Sequence, residues 1–321
     1  MDSGHEEGVT VSVIIPSKNG DESSRECLDS LRSQNYHMKY EVIQVTGGNI
    51  PQAKNYGLEN ANGRLIAFID SDCIASENWL TNLVLTIDKL KVGGVGGPGI
   101  GPPNEGDLSN AIDCVYDSYL GSLGSSSLMV PRKLMQTTAL SCHNCIYPKE
   151  VLSEVGGFDE RYQMNEDTDL SHRVRLQCYE LYVTPEAVVY HKRKKSFQDF
   201  IKKFYSYGVS RARAMQTNNE YLDLRIIGLL GVFFVGLLLV IFQSRYSRIL
   251  PLMYFALIIG HGVFIALMPK KIVLALYIPL LYLFEHTGYA FGLIMGFTRG
   301  KYRKAQNKPE IVMEKHIIEI N

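Results

Sequence analysis

An α/β catalytic domain on a Rossmann-like mixed sheet, followed by a helical region of membrane-spanning character, is the fold class that the sequence predicts. Three observations predict it. Strand-like and helix-like segments alternate through the first part of the chain, the order expected of parallel strands joined by right-handed crossovers. Leu65–Ile69 is a continuous apolar run, as required of a strand buried on both faces. Nearly all the long apolar runs lie after Arg225. The 321 residues suffice for about two domains.

The elements follow in order. Residues 9–15 alternate and are β-branched, which predicts a first strand ended by Pro16. Ser24 is placed to cap a helix carrying Cys27, Leu28 and Leu31 on one face. Residues 40–45 read as a second strand. Asn49 with Pro51 starts a helix that runs to about Asn62, and Asn62-Gly63 turns the chain into the third strand. Ser76 is placed to cap the next helix, whose stripe is Leu80, Leu83, Val84, Ile87 and Leu90. Gly94 to Gly99 is a formal G-x-G-x-x-G, but Pro98, Pro102 and Pro103 forbid the helix that a dinucleotide fingerprint needs. Residues 107–120 and 148–155 read as helices, the second closed by Gly156-Gly157. Asn165 is placed to cap a helix from Glu166 that turns Leu170 and Val174 inward. Residues 188–190 form the last strand, with His191 at its end.

Beyond this lie three apolar runs, 226–242, 249–268 and 272–297, the last interrupted by Pro279 and Glu285-His286. Before them, Phe197, Phe200, Ile201, Phe204 and Tyr205 oppose lysines and arginines around a helical wheel, which predicts an interfacial helix. The organisation is therefore a polar tail over 1–8, a catalytic domain over 9–195, an amphipathic helix over 196–223, an apolar region of two or three spans over 224–298, and a basic tail over 299–321. Basic clusters at 191–195 and 299–304 suit anionic lipid headgroups. Residues 1–8 lack the apolar stretch of a cleaved signal peptide, and the basic residues before Arg225 place the catalytic domain on the cytoplasmic face of a cell membrane. Three spans would send the basic tail to the opposite side, against the same rule; a hairpin or re-entrant last run removes the conflict. Glu285-His286 fits either an acceptor headgroup or the interfacial end of a tilted helix.

Lys+Arg and Asp+Glu both number 33, so charge points to no nucleic-acid partner. The six cysteines show no disulfide spacing. Cys142-x-x-Cys145 has no second pair to complete a zinc site, so reduced, partly buried thiols are expected.

Asp70-Ser71-Asp72 follows the third strand, and ligands of parallel sheets bind beyond the strands' carboxyl ends. Two carboxylates there suit a divalent cation, Mg²⁺ or Mn²⁺. Such a cation lowers the barrier to departure of a nucleoside diphosphate by neutralising its charge. Glu166-Asp167, with Asp169 nearby, stands at a helix N-terminus, where ionised carboxylates are favoured. They read either as a general base for an attacking hydroxyl or as plain N-terminal charge. His191 reads as a metal ligand or as a structural histidine.

Together these residues carry a resemblance. Residues 11–19 (Val-Ser-Val-Ile-Ile-Pro-Ser-Lys-Asn) resemble the opening strand of family 2 glycosyltransferases. Lys54-Asn55-Tyr56-Gly57-Leu58 through Ala61-Asn62-Gly63, and Phe68-Ile69-Asp70-Ser71-Asp72, are similar to the donor-binding stretch of that family. Gly156-Gly157-Phe158-Asp159-Glu160, Glu166-Asp167-Thr168-Asp169-Leu170, Arg173 and Val189-Tyr190-His191 resemble its acceptor half. Order and spacing match over roughly residues 9–215, and the apolar runs resemble those of bacterial and archaeal members that build exopolysaccharides or lipid-linked glycans.

The resemblance implies a GT-A fold, a nucleotide-sugar donor and inversion at the anomeric carbon. It implies that Asp72, Asp70 and His191 hold the metal. Pro16, Ser17, Asn19, Thr46, Lys54, Asn55, Asp70 and Ser71 would bind donor. Asp167 would be the base, with Glu166 as fallback. From their own composition, small and polar, residues 121–127 read as a mobile stretch and a flap that orders on donor binding. Two departures stand out. Thr46-Gly47-Gly48 replaces the acidic residues usual after the second strand, and Lys54 replaces an arginine, losing its bidentate fork. A polyprenyl-phosphate acceptor already carries an anionic oxygen, whereas a hydroxyl needs a base, so Glu166-Asp167 favours a hydroxyl on a lipid-linked or growing glycan. The alternatives are a polyprenyl-phosphate glycosyl synthase and a non-catalytic membrane scaffold. A nicotinamide oxidoreductase would need a phosphate-binding glycine turn that the chain lacks.

Overall fold

The computed structural model describes residues 8–17, 22–103, 105–122, 130–162, 164–192, 196–218, 221, 228, 249–268, 271–301 and 310–318. The chain divides into two compact units, residues 1–102, 126–192 and 304–321 in one and residues 103–125 and 193–303 in the other. In chain order, the first unit opens with β1 (Val11–Ser17), α1 (Glu22–Arg32), β2 (Tyr40–Thr46), α2 (Ile50–Glu59) and β3 (Leu65–Ile69). It continues with β4 (Cys73–Ala75), α3 (Trp79–Leu90), β5 (Gly94–Gly96) and β6 (Gly99–Ile100). The chain then enters the second unit for α4 (Asp107–Tyr116) and α5 (Tyr119–Ser122). It returns for β7 (Met135–Thr137), β8 (Asn144–Pro148), α6 (Lys149–Glu154), α7 (Glu166–Leu176), β9 (Leu181–Val183) and β10 (Val189–His191). The second unit resumes with α8 (Phe197–Thr217), α9 (Ile249–Leu267) and α10 (Leu274–Arg299), and β11 (Val312–Ile318) closes the first.

The main sheet has the order β11-β2-β1-β3-β8-β5-β9-β7, and β4-β10-β6 form a small second sheet. β1 lies parallel to both β2 and β3, while β8 runs antiparallel to β3. Side chains of the central strands leave both faces. Val13 and Ile15 pack with Leu31, Trp79 and Leu83 on one side. Ile14 and Phe68 pack with Ala53, Leu152, Leu170 and Val174 on the other. Each such buried side chain contributes about 1.5–3 kcal/mol of transfer free energy, which is why these strands are apolar without alternation.

Local signals held at some ends and not at others. Asn49 caps α2 in a reciprocal box with Gln52, both bonds 3.0 Å, with Pro51 in the first turn. Pro16 does not end β1. It continues the strand opposite Val45, beyond the last β3 partner, where its missing N–H costs no bond to β3. Ser24 lies inside α1, buried, its hydroxyl 3.1 Å from that of Ser17. Ser76 caps nothing with its side chain: α3 begins at Trp79, and Gln34 accepts from the Leu80 N–H at 2.9 Å. A long-range side chain thus does the work expected of a local serine.

Residues 312–318, expected in a basic tail, form the strand β11 antiparallel to β2. Lys315 Nζ lies 2.7 Å from Oε2 of the fully buried Glu41. Glu41 also accepts from Ser12 Oγ and Asn62 N, both at 2.6 Å. Burial alone would raise the Glu41 carboxyl, but these donors outweigh it and hold the group below its ordinary range.

In the second unit α8 packs on α10 through glycines. A Cβ on Gly292 would sit 2.2 Å from Tyr205 O, and one on Gly296 would sit 2.6 Å from Val209 O. Gly288, Gly292 and Gly296 recur every fourth residue, so the two backbones approach directly. Tyr282 Oη joins His261 Nδ1 and Ser118 Oγ, both at 2.9 Å, and His286 meets Tyr254 Oη at 3.1 Å. Among the described residues, no helix is long and apolar enough to cross a membrane. The expected span 226–242 lies outside the described residues apart from Gly228. Of the expected flap, Gly121 and Ser122 close α5, and 123–127 lie outside the described residues.

Candidate active site

The site is built at the carboxyl ends of the parallel strands β1, β2 and β3. Asp70-Ser71-Asp72 is the turn from β3 into β4. β4 pairs antiparallel with β10 in a register that sets His191 opposite Cys73. That register brings His191 Nε2 to 3.3 Å from Asp72 Oδ1. Ligand atoms of Asp72, Cys73 and His191 all lie within 4.8 Å of one another. A carboxylate and an imidazole, with Asp72 well exposed and open to diphosphate oxygens, fit a divalent cation. Asp70 is not in that group. Burial, with Asp72 and Glu166 nearby, raises its carboxyl against the pull of Lys54 and His191.

The opposite wall is the start of α7. Asn165 occupies the cap position in the left-handed conformation, φ 67°, and makes no side-chain cap bond. Glu166 Oε1 lies 2.8 Å from Lys54 Nζ, with the lysine side chain 2% and the glutamate 12% exposed. Lys54 also lies 5.2 Å over the Phe158 ring. Burial opposes the ammonium, but Glu166 and Asp70 outweigh it and hold the lysine protonated. Asp167 receives the Thr168 N–H at 2.7 Å. Burial, then Glu166 and Asp70, push the Asp167 carboxyl up to about 6, against Lys54 and that N–H. The stretches around residues 71 and 167 therefore meet, joined through Lys54.

The remaining expected residues divide. Thr46 ends β2 and Ser71 lies in the turn, both half-buried on the same rim. Pro16 and Ser17 are buried in β1, and the Ser17 hydroxyl faces Ser24 rather than open solvent. Asn55 is committed to the fold. It accepts from Phe158 N at 2.8 Å and donates to Phe158 O at 2.9 Å and Glu160 Oε1 at 3.3 Å. These bonds position the loop that carries Phe158. Glu166 is engaged by Lys54, whereas Asp167 lies outside that ion pair. Asn19 lies outside the described residues.

Two residues were missed from the sequence. Asn144 accepts from Trp79 Nε1 at 2.7 Å and donates to Pro98 O and Ala187 O at 2.9 and 2.7 Å, locking α3, β6 and the approach to β10 together. The His143 ring stands 5.2 Å from that of His191, and a Cβ on Gly99 would fall 2.2 Å from His143 Nε2. The signal lay inside Cys142-His143-Asn144-Cys145, where the informative pair was His-Asn. Cys142 and Cys145 are buried and, among the described residues, belong to no metal group.

A family profile described as glycosyltransferase like family 2 matches residues 9–219. The chain is 25% identical over 228 residues to glycosyltransferase AglE of Haloferax volcanii, covering 62% of this chain and 71% of that protein. It is 21% identical over 327 residues to a dolichyl N-acetyl-alpha-D-glucosaminyl phosphate 3-beta-D-2,3-diacetamido-2,3-dideoxy-beta-D-glucuronosyltransferase of Methanococcus voltae, covering 90% and 98% of the two chains. Mannosyltransferase PcManGT from Pyrobaculum calidifontis, solved with GDP-Man and Mn²⁺, superposes with a TM-score of 0.53 at 15% identity, over 90% of this chain and 86% of that one. This likeness establishes a GT-A-like mixed α/β fold.

Replacing Lys54 by Met should strand the Glu166 carboxylate at low exposure and lower stability by about 3 kcal/mol. A Lys54→Met/Glu166→Leu double variant should regain most of it in thermal unfolding. A single variant as stable as the parent would show that the pair does not hold the two walls.

Proposed function

The chain belongs to glycosyltransferase family 2, and from that premise we propose an inverting transfer of sugar from a nucleotide-sugar donor to a hydroxyl of a lipid-linked or growing glycan. One observation carries the reading: Asp167, outside the Lys54–Glu166 ion pair, is buried beside the Glu166 and Asp70 carboxylates, which raise its proton affinity. Deprotonated, Asp167 accepts the proton of the acceptor hydroxyl as its oxygen forms a bond to the anomeric carbon. The bond from that carbon to the diphosphate breaks on the opposite face, and the electron pair leaves with the nucleoside diphosphate. A single displacement of this kind inverts the centre. Asp72 and His191 would hold a divalent cation, which neutralises charge on the leaving diphosphate. GDP-Man and Mn²⁺ in the Pyrobaculum structure, and the dolichyl sugar phosphate named for the Methanococcus relative, support the choices of donor, cation and acceptor.

The helical unit fits attachment to the cell membrane, with the catalytic unit on its cytoplasmic face. Leu252, Met253, Phe264, Met268, Ile272 and Leu276 are all exposed, a concentration of apolar surface that water does not favour.

Asp167→Asn should lower kcat about a hundredfold to ten-thousandfold with donor KM little changed. The base works only when deprotonated, so kcat/KM should fall as pH drops through about 6. Turnover by Asp167→Asn at the parent rate would exclude the assignment. Chelation of divalent metal should abolish turnover, Mn²⁺ should restore it, and Asp72→Ala should weaken Mn²⁺ binding in calorimetry. Detergent-free protein should float with phospholipid vesicles and resist alkaline carbonate; recovery in the soluble fraction would overturn the membrane reading.

A further inference from the structure

The turn after β2, Thr46-Gly47-Gly48, stands at the ligand end of the sheet and offers no acidic side chain. Gly47 and Gly48 adopt φ of 102° and 67°, values that favour glycine. Space imposes a second reason at Gly47. A Cβ there would fall 2.2 Å from Glu310 O and 3.4 Å from Ile311 Cα. The chain just before β11 therefore lies directly on this turn.

The placement is in register and anchored. β11 pairs antiparallel with β2 from Val312 opposite Thr46 to Ile318 opposite Tyr40. Its amino-terminal end thus points to the rim where β1, β2 and β3 end. The Lys315–Glu41 ion pair and a 3.1 Å bond from Lys315 Nζ to Asn60 O pin the strand along β2. Glu310, exposed, stands at the head of that strand.

We propose that β11 completes the donor pocket, with Glu310 accepting hydrogen bonds from the ribose hydroxyls of the donor nucleotide. A ribose presents two adjacent hydroxyl donors, and an ionised carboxylate is the acceptor that takes them most strongly. In open α/β sheets an acidic residue near the end of a neighbouring strand commonly fills this role. Here the carboxylate comes from the far end of the chain. Gly47 is small because the backbone that delivers Glu310 occupies the space of its side chain. The assignment rests on the nucleotide-sugar reading and adds the residue that holds the nucleoside.

The test is calorimetry on the full chain with Mn²⁺, using a panel of nucleoside diphosphates that includes UDP and GDP. The diphosphate that binds best is then compared with its 2′,3′-dideoxy analogue and with inorganic pyrophosphate. Glu310→Ala should weaken binding of the ribonucleotide about tenfold, the loss expected for a hydrogen bond to a charged group. Pyrophosphate binding should be unchanged. The dideoxy analogue should bind the parent weakly and lose nothing further in Glu310→Ala. Donor KM should rise with kcat unchanged. Equal binding of the ribonucleotide by parent and variant overturns the Glu310 assignment alone. Equal loss for ribonucleotide and pyrophosphate also overturns it, since that marks a general distortion of the site. Failure of the parent to bind any nucleoside diphosphate overturns the donor reading, and this assignment with it.

Discussion

The buried ion pair between Lys54 and Glu166 is the interaction on which the site depends. Its partners are 112 residues apart, one on α2 and one at the start of α7. Taking an ammonium out of water costs several kcal/mol, and only a close counter-charge offsets it. Glu166 supplies that counter-charge, with Asp70 adding to it and the Phe158 ring lying beneath the ammonium. The two walls cannot part without leaving a charge stranded. The pair also divides labour between neighbours in sequence. Glu166 becomes a permanent partner, while Asp167, one residue on, keeps a negative neighbour and little solvent, and its proton affinity rises toward the range a general base needs. Lysine suits this role because a single compact ammonium can serve one carboxylate without reaching across the cleft, as the planar fork of an arginine would.

What a segment's own residues decide was legible from the sequence. β3 announced itself as an unbroken apolar run, α2 by Asn49 and Pro51, and α7 by Leu170 and Val174 facing the core. What tertiary pairing decides was not. β4 and β6 are two or three residues long and have no periodicity to read; residues 188–190 were legible as a strand, but not the register between β4 and β10 that brings His191 to Asp72. β8 lies between β3 and β5 in the main sheet but starts inside a motif read only for its cysteines. The motif residues Asp70, Asp72 and Asp167 lie near one another, while the engagement of Glu166 by Lys54 was hidden. Asn55, expected at the donor, also clamps the Phe158 loop by hydrogen bonds that its own segment does not announce. Ser24 and Ser76 stand where caps belong, and long-range partners made local capping unnecessary.

The C-terminal strand constrains how the helical unit can meet a membrane. β11 hydrogen-bonds to β2 inside the catalytic sheet, so the chain must leave for the helical unit and return on one side of any bilayer. The number of complete crossings between Lys192 and Val312 is therefore even. On the proposed membrane reading, three spans do not fit this pairing, and without them the basic tail no longer conflicts with the rule that keeps basic segments inside. The packing of α8 on α10 bears on which helix stays on the near side. Their glycine contact places α10 along the same amphipathic helix whose polar face carries lysines and arginines. α10 also carries Glu285 and His286 at mid-length, and its His286 binds the carbonyl of Leu120 from the segment that leaves the catalytic unit. On the proposed reading, a helix tied to so many polar partners suits the interfacial layer. The apolar runs before it in the sequence, 226–242 and 249–268, are the ones that the proposed reading assigns to the lipid.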